Sequence, residues 1–242
     1  QFIQQLQNSE NIVFFGGAGV STESGIPDFR SAKGLYIQDS PFEIPVEQII
    51  SHSFYRKYPK EFFDYYFKHL VFKSARPNIV HQKIAELQDY KNLSVVTQNI
   101  DGLHQMAGSN IVYELHGTIF DNHCEECGAY VPLDDLKKDD DGIPRCSICG
   151  GIVKPDVTLY EEQLPTEAIS NAVQAISQAD LLIVAGTSLV VYPAAGFIKY
   201  FQGKYLTVIN KTPLTNVKNA DLVFEDKLSN VFKQLPEFSE IL

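Results

Sequence analysis

Short runs of aliphatic and β-branched residues recur along the chain, and each stops at glycine, amide, hydroxyl or imidazole. Ile12-Val-Phe-Phe15 runs into Gly16-Gly-Ala-Gly19, and Leu93, Val95 and Val96 into Thr97-Gln-Asn-Ile-Asp101. Ile111, Val112 and Leu115 precede His116-Gly117. Leu181–Ala185 ends in Gly186-Thr-Ser188, and Leu206–Ile209 in Asn210. Continuous apolar runs of this length predict strands buried on both faces. Leu222-Val-Phe224 is a last short strand. Helical spacing fills the gaps. Phe2, Ile3 and Leu6 share a face within 1–10, and Ile79, Ile84 and Leu87 within 79–90. Further helices are predicted at 165–178, from Tyr192-Pro193 to about 201, and at 228–235. Strands alternating with helices predict an α/β fold with a doubly wound, Rossmann-like parallel sheet.

In such a sheet, ligands bind in the crevice beyond the carboxyl ends of the strands. The first of these ends is glycine-rich. Gly17 and Gly19 fit the first two glycines of G-x-G-x-x-G, but Thr22 stands in the sixth position. Glycines let backbone N–H groups reach a pyrophosphate, and a helix start adds positive potential. A plain turn accounts for the fragment equally well. The loop Ser24-Gly-Ile-Pro-Asp28-Phe29-Arg30 could cover a bound nucleotide or hold an ordinary ion pair. Gln98, Asn99, Asp101 and His116 gather amide, carboxylate and imidazole, as needed to hold a polar ligand and move a proton. His81 and His104 are read as packing or structural histidines.

Two stretches interrupt the strand–helix rhythm. Residues 33–74 are crowded with aromatics, including Tyr36, Phe42, Phe54, Tyr55, Phe62, Phe63 and Tyr66, at helical spacing from Phe54 onward. They predict the core of a small helical module. Residues 120–151 hold all four cysteines as Cys124-x2-Cys127 and Cys146-x2-Cys149, a zinc-ribbon spacing. With every ligand a cysteine and no open position, the expected Zn2+ is structural. The acidic and basic run 134–142 is a solvated loop. The expected division is therefore a nucleotide-binding domain of 1–32, 75–119 and 152–242, with 33–74 and 120–151 forming a small domain. Beyond the ribbon, 151–162 alternates as an exposed strand would, and such a strand can pair with an incoming peptide.

Composition narrows the function classes. At 242 residues, 44% apolar and 21% charged, the chain is ordinary for a globular protein. A net charge of −10 disfavours nucleic acid or an anionic membrane as partner. No apolar run is long enough for a membrane span, and the N-terminal residues lack a secretory pattern, so a cytoplasmic monomer is expected.

In combination the motifs resemble the sirtuins, the NAD-dependent protein-lysine deacylases. The matching residues are Gly17–Arg30, Thr97–His104, Glu114–Gly117, the cysteine pairs, Lys154–Val157, Gly186–Pro193 and Asn210. The resemblance spans essentially the whole chain, and the compact length resembles that of a bacterial member. It implies removal of acetyl or other acyl groups from protein lysines, with release of nicotinamide and O-acetyl-ADP-ribose. It implies NAD contacts at Ala18, Thr22, Asp28, Phe29, Arg30, Gln98, Ile100, Asp101, Thr187, Ser188 and Asn210. Asn99 and Asp101 would serve catalysis, with His116 as general base toward a ribose hydroxyl. Val157, Thr158 and Tyr160 would receive the substrate peptide. The alternative activity is mono-ADP-ribosyl transfer from the same NAD site.

The sequence departs from the family pattern in two places. The usual Phe-Gly-Glu after the substrate strand is Tyr160-Glu161-Glu162, which adds charge where the peptide passes. Family members that remove succinyl or malonyl groups carry Tyr-x-x-Arg in the helical module, where Tyr66 and His69 stand here. Without a guanidinium to clamp a carboxylate, acetyl-type groups are expected over acidic ones.

Overall fold

The computed structural model describes residues 1–28 and 44–242, so the expectations for Phe29, Arg30, Tyr36 and Phe42 lie outside the described residues. The first half of the chain forms α1 (Phe2–Gln7), β1 (Asn11–Gly16), α2 (Val46–Ile49), α3 (His52–Lys57), α4 (Pro59–His69), α5 (Ile79–Leu87), β2 (Asn92–Thr97), α6 (Leu103–Met106) and β3 (Val112–Glu114). The ribbon region holds β4 (Gly117–Cys124), β5 (Tyr130–Pro132), β6 (Lys137–Lys138), β7 (Pro144–Arg145) and β8 (Val153–Val157). Then come α7 (Thr166–Gln178), β9 (Leu181–Ala185), β10 (Tyr205–Ile209), β11 (Leu222–Phe224), α8 (Leu228–Phe232) and α9 (Phe238–Ile241).

Six parallel strands form one sheet in the order β11-β10-β9-β1-β2-β3. The order reverses between β1 and β9, the switch point where an open sheet leaves a crevice. The sheet is covered on both sides because β1 buries alternate residues in opposite layers. Ile12 and Phe14 pack with Leu6, Ile84, Leu87, Phe232 and Phe238. Val13 and Phe15 pack with Ile176 of α7, Val184 and Val208. The α/β, doubly wound architecture read from the apolar runs is the one observed.

A second layer of structure sits beside this sheet. The strand β4 pairs antiparallel with β5 and β8. Buried Tyr55, Phe62, Phe63 and Tyr66 from α3 and α4 share one core with Ile119, Leu133, Ile143, Val157 and Leu159. The helical insertion and the cysteine module thus bury their apolar faces on each other. This small sheet is wider than the cysteine stretch 120–151, since it reaches from Gly117 to Val157. The reason is pairing: Gly117 opposes Val157, and each strand needs the other to satisfy its backbone. A Cβ at Gly117, whose φ is 73°, would sit 1.7 Å from the carbonyl oxygen of Asp156.

Local differences from the sequence expectations are modest. The glycine loop after β1 continues as 3-10 turns at Ala18–Val20 and Thr22–Ser24 rather than as an α-helix. The segment after Pro193 is a 3-10 helix, Ala194–Tyr200. The C-terminus carries α9 in addition to α8. Among the described residues, no helix is long and apolar enough to cross a membrane.

Candidate active site

The loops after β1, β2 and β9 converge because their strand ends are level: Gly16 opposes both Thr97 and Ala185. Close approach fixes the residue types. The Gly19 N–H donates to Gly186 O at 2.8 Å. A Cβ at Gly19 would lie 2.8 Å from the Gly186 backbone, and one at Gly186 would lie 2.6 Å from Val20 N. Behind this contact, the Asn78 side chain donates to Val20 O at 2.8 Å and to Ser24 Oγ at 2.9 Å. The same side chain caps α5, so the start of this helix also holds the glycine loop in place.

Polar side chains line the junction. Asn99 Nδ2 donates to Gly17 O and to Ser21 Oγ, both at 3.1 Å. Ser21 Oγ donates in turn to Asp101 Oδ2 at 2.5 Å, and Asp101 Oδ1 accepts from Leu103 N at 3.0 Å. Burial raises the Asp101 carboxyl above its ordinary value, while the bonds from Ser21 and Leu103 pull it back. Gln98 Nε2 donates to Thr187 Oγ1 at 3.0 Å, tying β2 to β9. Buried Ser21 belongs to this cluster, a position outside the site residues expected from the sequence. Its only signal there was a hydroxyl beside the glycines.

His116 stands where β3 gives way to β4. Its Nδ1 lies 2.8 Å from Gln98 O. A carbonyl can only accept, so Nδ1 carries the proton and Nε2 keeps its lone pair, the form a general base requires. Burial lowers the His116 pKa, and the bond to Gln98 opposes that shift. Glu114, two residues upstream, is pushed up to about 7 by burial; a side-chain bond from Gln105 opposes the shift and the nearby Asp101 charge adds to it.

Other predicted positions fall around this centre. Ala18 is half-buried and Thr22 exposed, its Oγ1 donating to Gly19 O at 3.1 Å. Asp28 is half-buried in the loop after Gly25. Ile100 packs against the small-domain core. Thr187 is buried and Ser188 exposed. Asn210 is buried at the end of β10, with Nδ2 donating to Thr212 O at 2.7 Å.

Val157 pairs with Gly117, and Thr158 N donates to His116 O at 2.9 Å, which sets the expected peptide segment beside the imidazole. The extended pairing expected through residue 162 does not persist. Tyr160 bridges Ser51 instead, and Glu161 turns the chain with φ 76°. The two acidic groups here are engaged within the protein. Glu161 binds Ser53, and Glu162 binds His52, Lys154 and Leu159 N. His69 stacks on Tyr65 at 4.5 Å, and burial lowers its pKa, so it offers no fixed positive charge.

The Sγ atoms of Cys124, Cys127, Cys146 and Cys149 lie within 4.8 Å of one another. The closest pairs are 3.4 and 3.7 Å apart, far beyond a disulfide bond of about 2 Å. Each Cys-x2-Cys turn closes through glycine: Gly128 N donates to Cys124 O and Gly150 N to Cys146 O, both at 2.9 Å. The N–H groups of Cys149 and Ile148 draw the Cys146 thiol down to about 7. Four soft sulfurs in a closed cage fit one tetrahedral Zn2+, and no vertex is left for water.

A family model for the Sir2 family matches residues 17–193. An NAD-dependent protein deacetylase of Clostridium acetobutylicum is 53% identical over 93% of this chain and 92% of its own. One from Clostridium tetani is 47% identical over 96% and 94%. Among solved structures, a Sir2 bound to acetylated peptide matches with TM-score 0.85 and 32% identity over 100% of this chain and 98% of that one. A complex of Sir2 with a p53 peptide and NAD+ matches with TM-score 0.85 and 33% identity over the same shares. With its switch-point crevice, imidazole and four-cysteine cage in the order of that family's motifs, the chain belongs to the Sir2 family, the sirtuins.

Proposed function

We propose that the protein is an NAD-dependent protein-lysine deacetylase in which His116 is the general base. The observation that carries this reading is the 2.8 Å contact of His116 Nδ1 with Gln98 O, which leaves Nε2 as the acceptor beside the crevice at the switch point. NAD would supply an activated ribose, whose bond to nicotinamide is exchanged for one to the acyl oxygen of the acyl-lysine, with nicotinamide leaving with the electron pair. The residues here do the rest. The glycine loop with Ala18 and Thr22 receives the pyrophosphate, while Asp28, Phe29 and Arg30 belong to the covering loop. Thr187, Ser188 and Asn210 hold the adenosine half, and Gln98 the nicotinamide ribose. Asp101 and Ile100 take the carboxamide, and Asn99 orients ribose and water. His116 Nε2 would remove a proton from a ribose hydroxyl, so that this oxygen can attack the acyl carbon, whose bond to the lysine nitrogen then breaks to free the amine. Val157, Thr158 and Tyr160 align the acyl-lysine peptide. Cys124, Cys127, Cys146 and Cys149 would hold Zn2+, which ties the two Cys-x2-Cys turns of the ribbon together and leaves the chemistry to the crevice.

The small domain is drawn as the helical insertion 33–74 with the ribbon 120–151, the remainder forming the NAD-binding domain. We place the protein in the cytoplasm as a monomer without a nucleic-acid partner. Its clustered thiols suit a reducing compartment, and its charge of −10 repels polyanions.

The test is nicotinamide release from NAD in the presence of acetyl-lysine peptide, with mass analysis of the peptide. Loss of the acetyl group together with nicotinamide is expected. Gain of ADP-ribose on an unchanged acetyl peptide, or no release, overturns the reading.

A further inference from the structure

Residues 159–162 make a tight turn, closed by Glu162 N donating to Leu159 O at 3.1 Å. Its third residue, Glu161, has φ 76°, a conformation that turns of this kind usually give to glycine. A side chain placed there at a steric cost needs a reason to stay. The reason is visible in its contacts. The Glu161 carboxylate accepts from Ser53 N at 2.8 Å and from Ser53 Oγ at 2.9 Å. The bonds of its neighbours run in the same direction. Tyr160 N donates to Ile50 O at 3.0 Å, and Tyr160 O accepts from His52 N at 2.9 Å. Glu162 holds His52 Nδ1 and Leu159 N, each at 2.8 Å. The turn is therefore stitched to the start of α3. Immediately upstream, Thr158 N is bonded to His116 O and Val157 is paired with Gly117. One short segment spans the helical module, the expected peptide strand and the base.

We propose that Glu161 is a positioning residue for the peptide substrate, its carboxylate clasped by Ser53 so that residues 157–160 keep the alignment an acyl-lysine main chain pairs with. This rests on the reading of that segment as the peptide site. Glycine at 161 would accept the backbone conformation but leave the turn free to swing. The carboxylate is directed into α3, so its charge acts on the turn rather than on the peptide.

The test is steady-state kinetics on the full chain with acetyl-lysine peptide and NAD. E161G keeps the turn geometry and deletes the clasp. Its KM for peptide should rise about fivefold, with kcat and the KM for NAD within about twofold of the parent. E161Q should restore a near-parental peptide KM, because a carboxamide can accept from Ser53 N while donating to Ser53 Oγ. S53A should raise the peptide KM alone, and should add little in the E161G background. An unchanged peptide KM in both E161G and S53A overturns the proposal. So does a fall in kcat with a parallel rise in both KM values, which would mean general loosening. If the parent protein releases no nicotinamide with any acyl-lysine peptide, the deacetylase reading has failed. If the parent turns over and these variants match it, the clasp alone has.

Discussion

Ser21 Oγ donates to Asp101 Oδ2 at 2.5 Å, joining the glycine loop after β1 to the loop after β2. Asn99 donates to the same hydroxyl, so one small side chain orders an amide and a carboxylate at once. A hydrogen bond to a charged group contributes more than a neutral one, and removing it from a buried acid leaves part of that acid unsolvated. Ser21→Ala should therefore raise the KM for NAD on the order of tenfold. Without the Ser21 bond, burial would lift the Asp101 carboxyl further. The variant should then lose activity at a higher pH than the parent as conditions are acidified. Initial rates against NAD across a pH series check both outcomes.

His116→Ala should lower kcat by about a hundredfold to ten-thousandfold, the usual contribution of a positioned base, while NAD still binds. The pH profile carries a further sign. Burial lowers the His116 pKa below 6.5, so the neutral, proton-accepting ring persists to lower pH than a free imidazole would. The acid limb governed by this group should have its midpoint below 6.5. A midpoint above that value would count against His116 as the base. Isothermal titration with NAD separates lost chemistry from lost binding.

His81 and His104 lie ring to ring at 4.7 Å in the core beneath the crevice. His81 Nδ1 accepts from Asn78 N at 3.2 Å, while His81 Nε2 and both ring nitrogens of His104 have no partner among the described residues. Burial drives His81 down to about 4 and His104 well below its ordinary value, with His81 adding repulsion to the latter. Above pH 6.5 the folded and unfolded forms are both neutral at His81. As pH falls from there to about 4, the unfolded chain takes a proton that the folded one refuses. Stability should drop over that window by about 3 kcal/mol from His81 alone. Urea melts across the window measure this. His104→Phe should flatten the slope, because it removes one of the two titrating rings and both of its unpartnered nitrogens.

Zinc removal should act on the fold before the chemistry. The four sulfurs close the ribbon at one end of a sheet whose other end, Gly117 and Val157, adjoins His116. Cys127→Ser, or a strong chelator, should lower Tm on the order of 10 °C and abolish stoichiometric zinc by elemental analysis. Full zinc content and an unchanged Tm in Cys127→Ser would contradict the assignment.

Acetyl-lysine should be a far better substrate than succinyl-lysine. His69 is stacked on Tyr65 and its pKa is lowered, and Tyr66 is fully buried, its hydroxyl without a partner among the described residues. Neither offers the bidentate cation that an acidic acyl group needs, which leaves such a group desolvated and unpaired. Parallel assays with the two peptides settle the point, and equal kcat/KM would contradict it.

The sheet was legible in the sequence because its central strands, β1, β9 and most of β2, are buried on both faces. A run such as Leu181–Ala185 has no polar residue to confuse its assignment. Glycine, amide or imidazole at the strand ends marked the crevice, and the cysteine spacing marked the metal cage. Contacts between distant segments were less visible. Nothing local to Gln98 indicates that its carbonyl fixes the tautomer of a ring just beyond the next strand. His81 and His104 each look like an ordinary helix residue until α5 and α6 are packed together. Tyr160 reads as strand by alternation, but its backbone is claimed by Ile50 and His52 in a module far upstream. The glycine loop showed its phosphate-loop composition but not its 3-10 geometry, which is imposed by the press of Gly186 from β9.

That press has a consequence for how such a protein can vary. Gly17, Gly19 and Gly186 occupy one seam, where a single methyl on any of them would come within 2.8 Å of the opposite loop. At Gly128 and Gly150 the space beyond the backbone is open, and only the sign of φ restricts the choice. A saturation library should therefore be nearly barren along the seam, whereas asparagine or aspartate would be recovered at the ribbon turns. Inheritance at this junction is set by clearance between two chains of atoms, which no compensating change elsewhere in the core can widen without parting the strands.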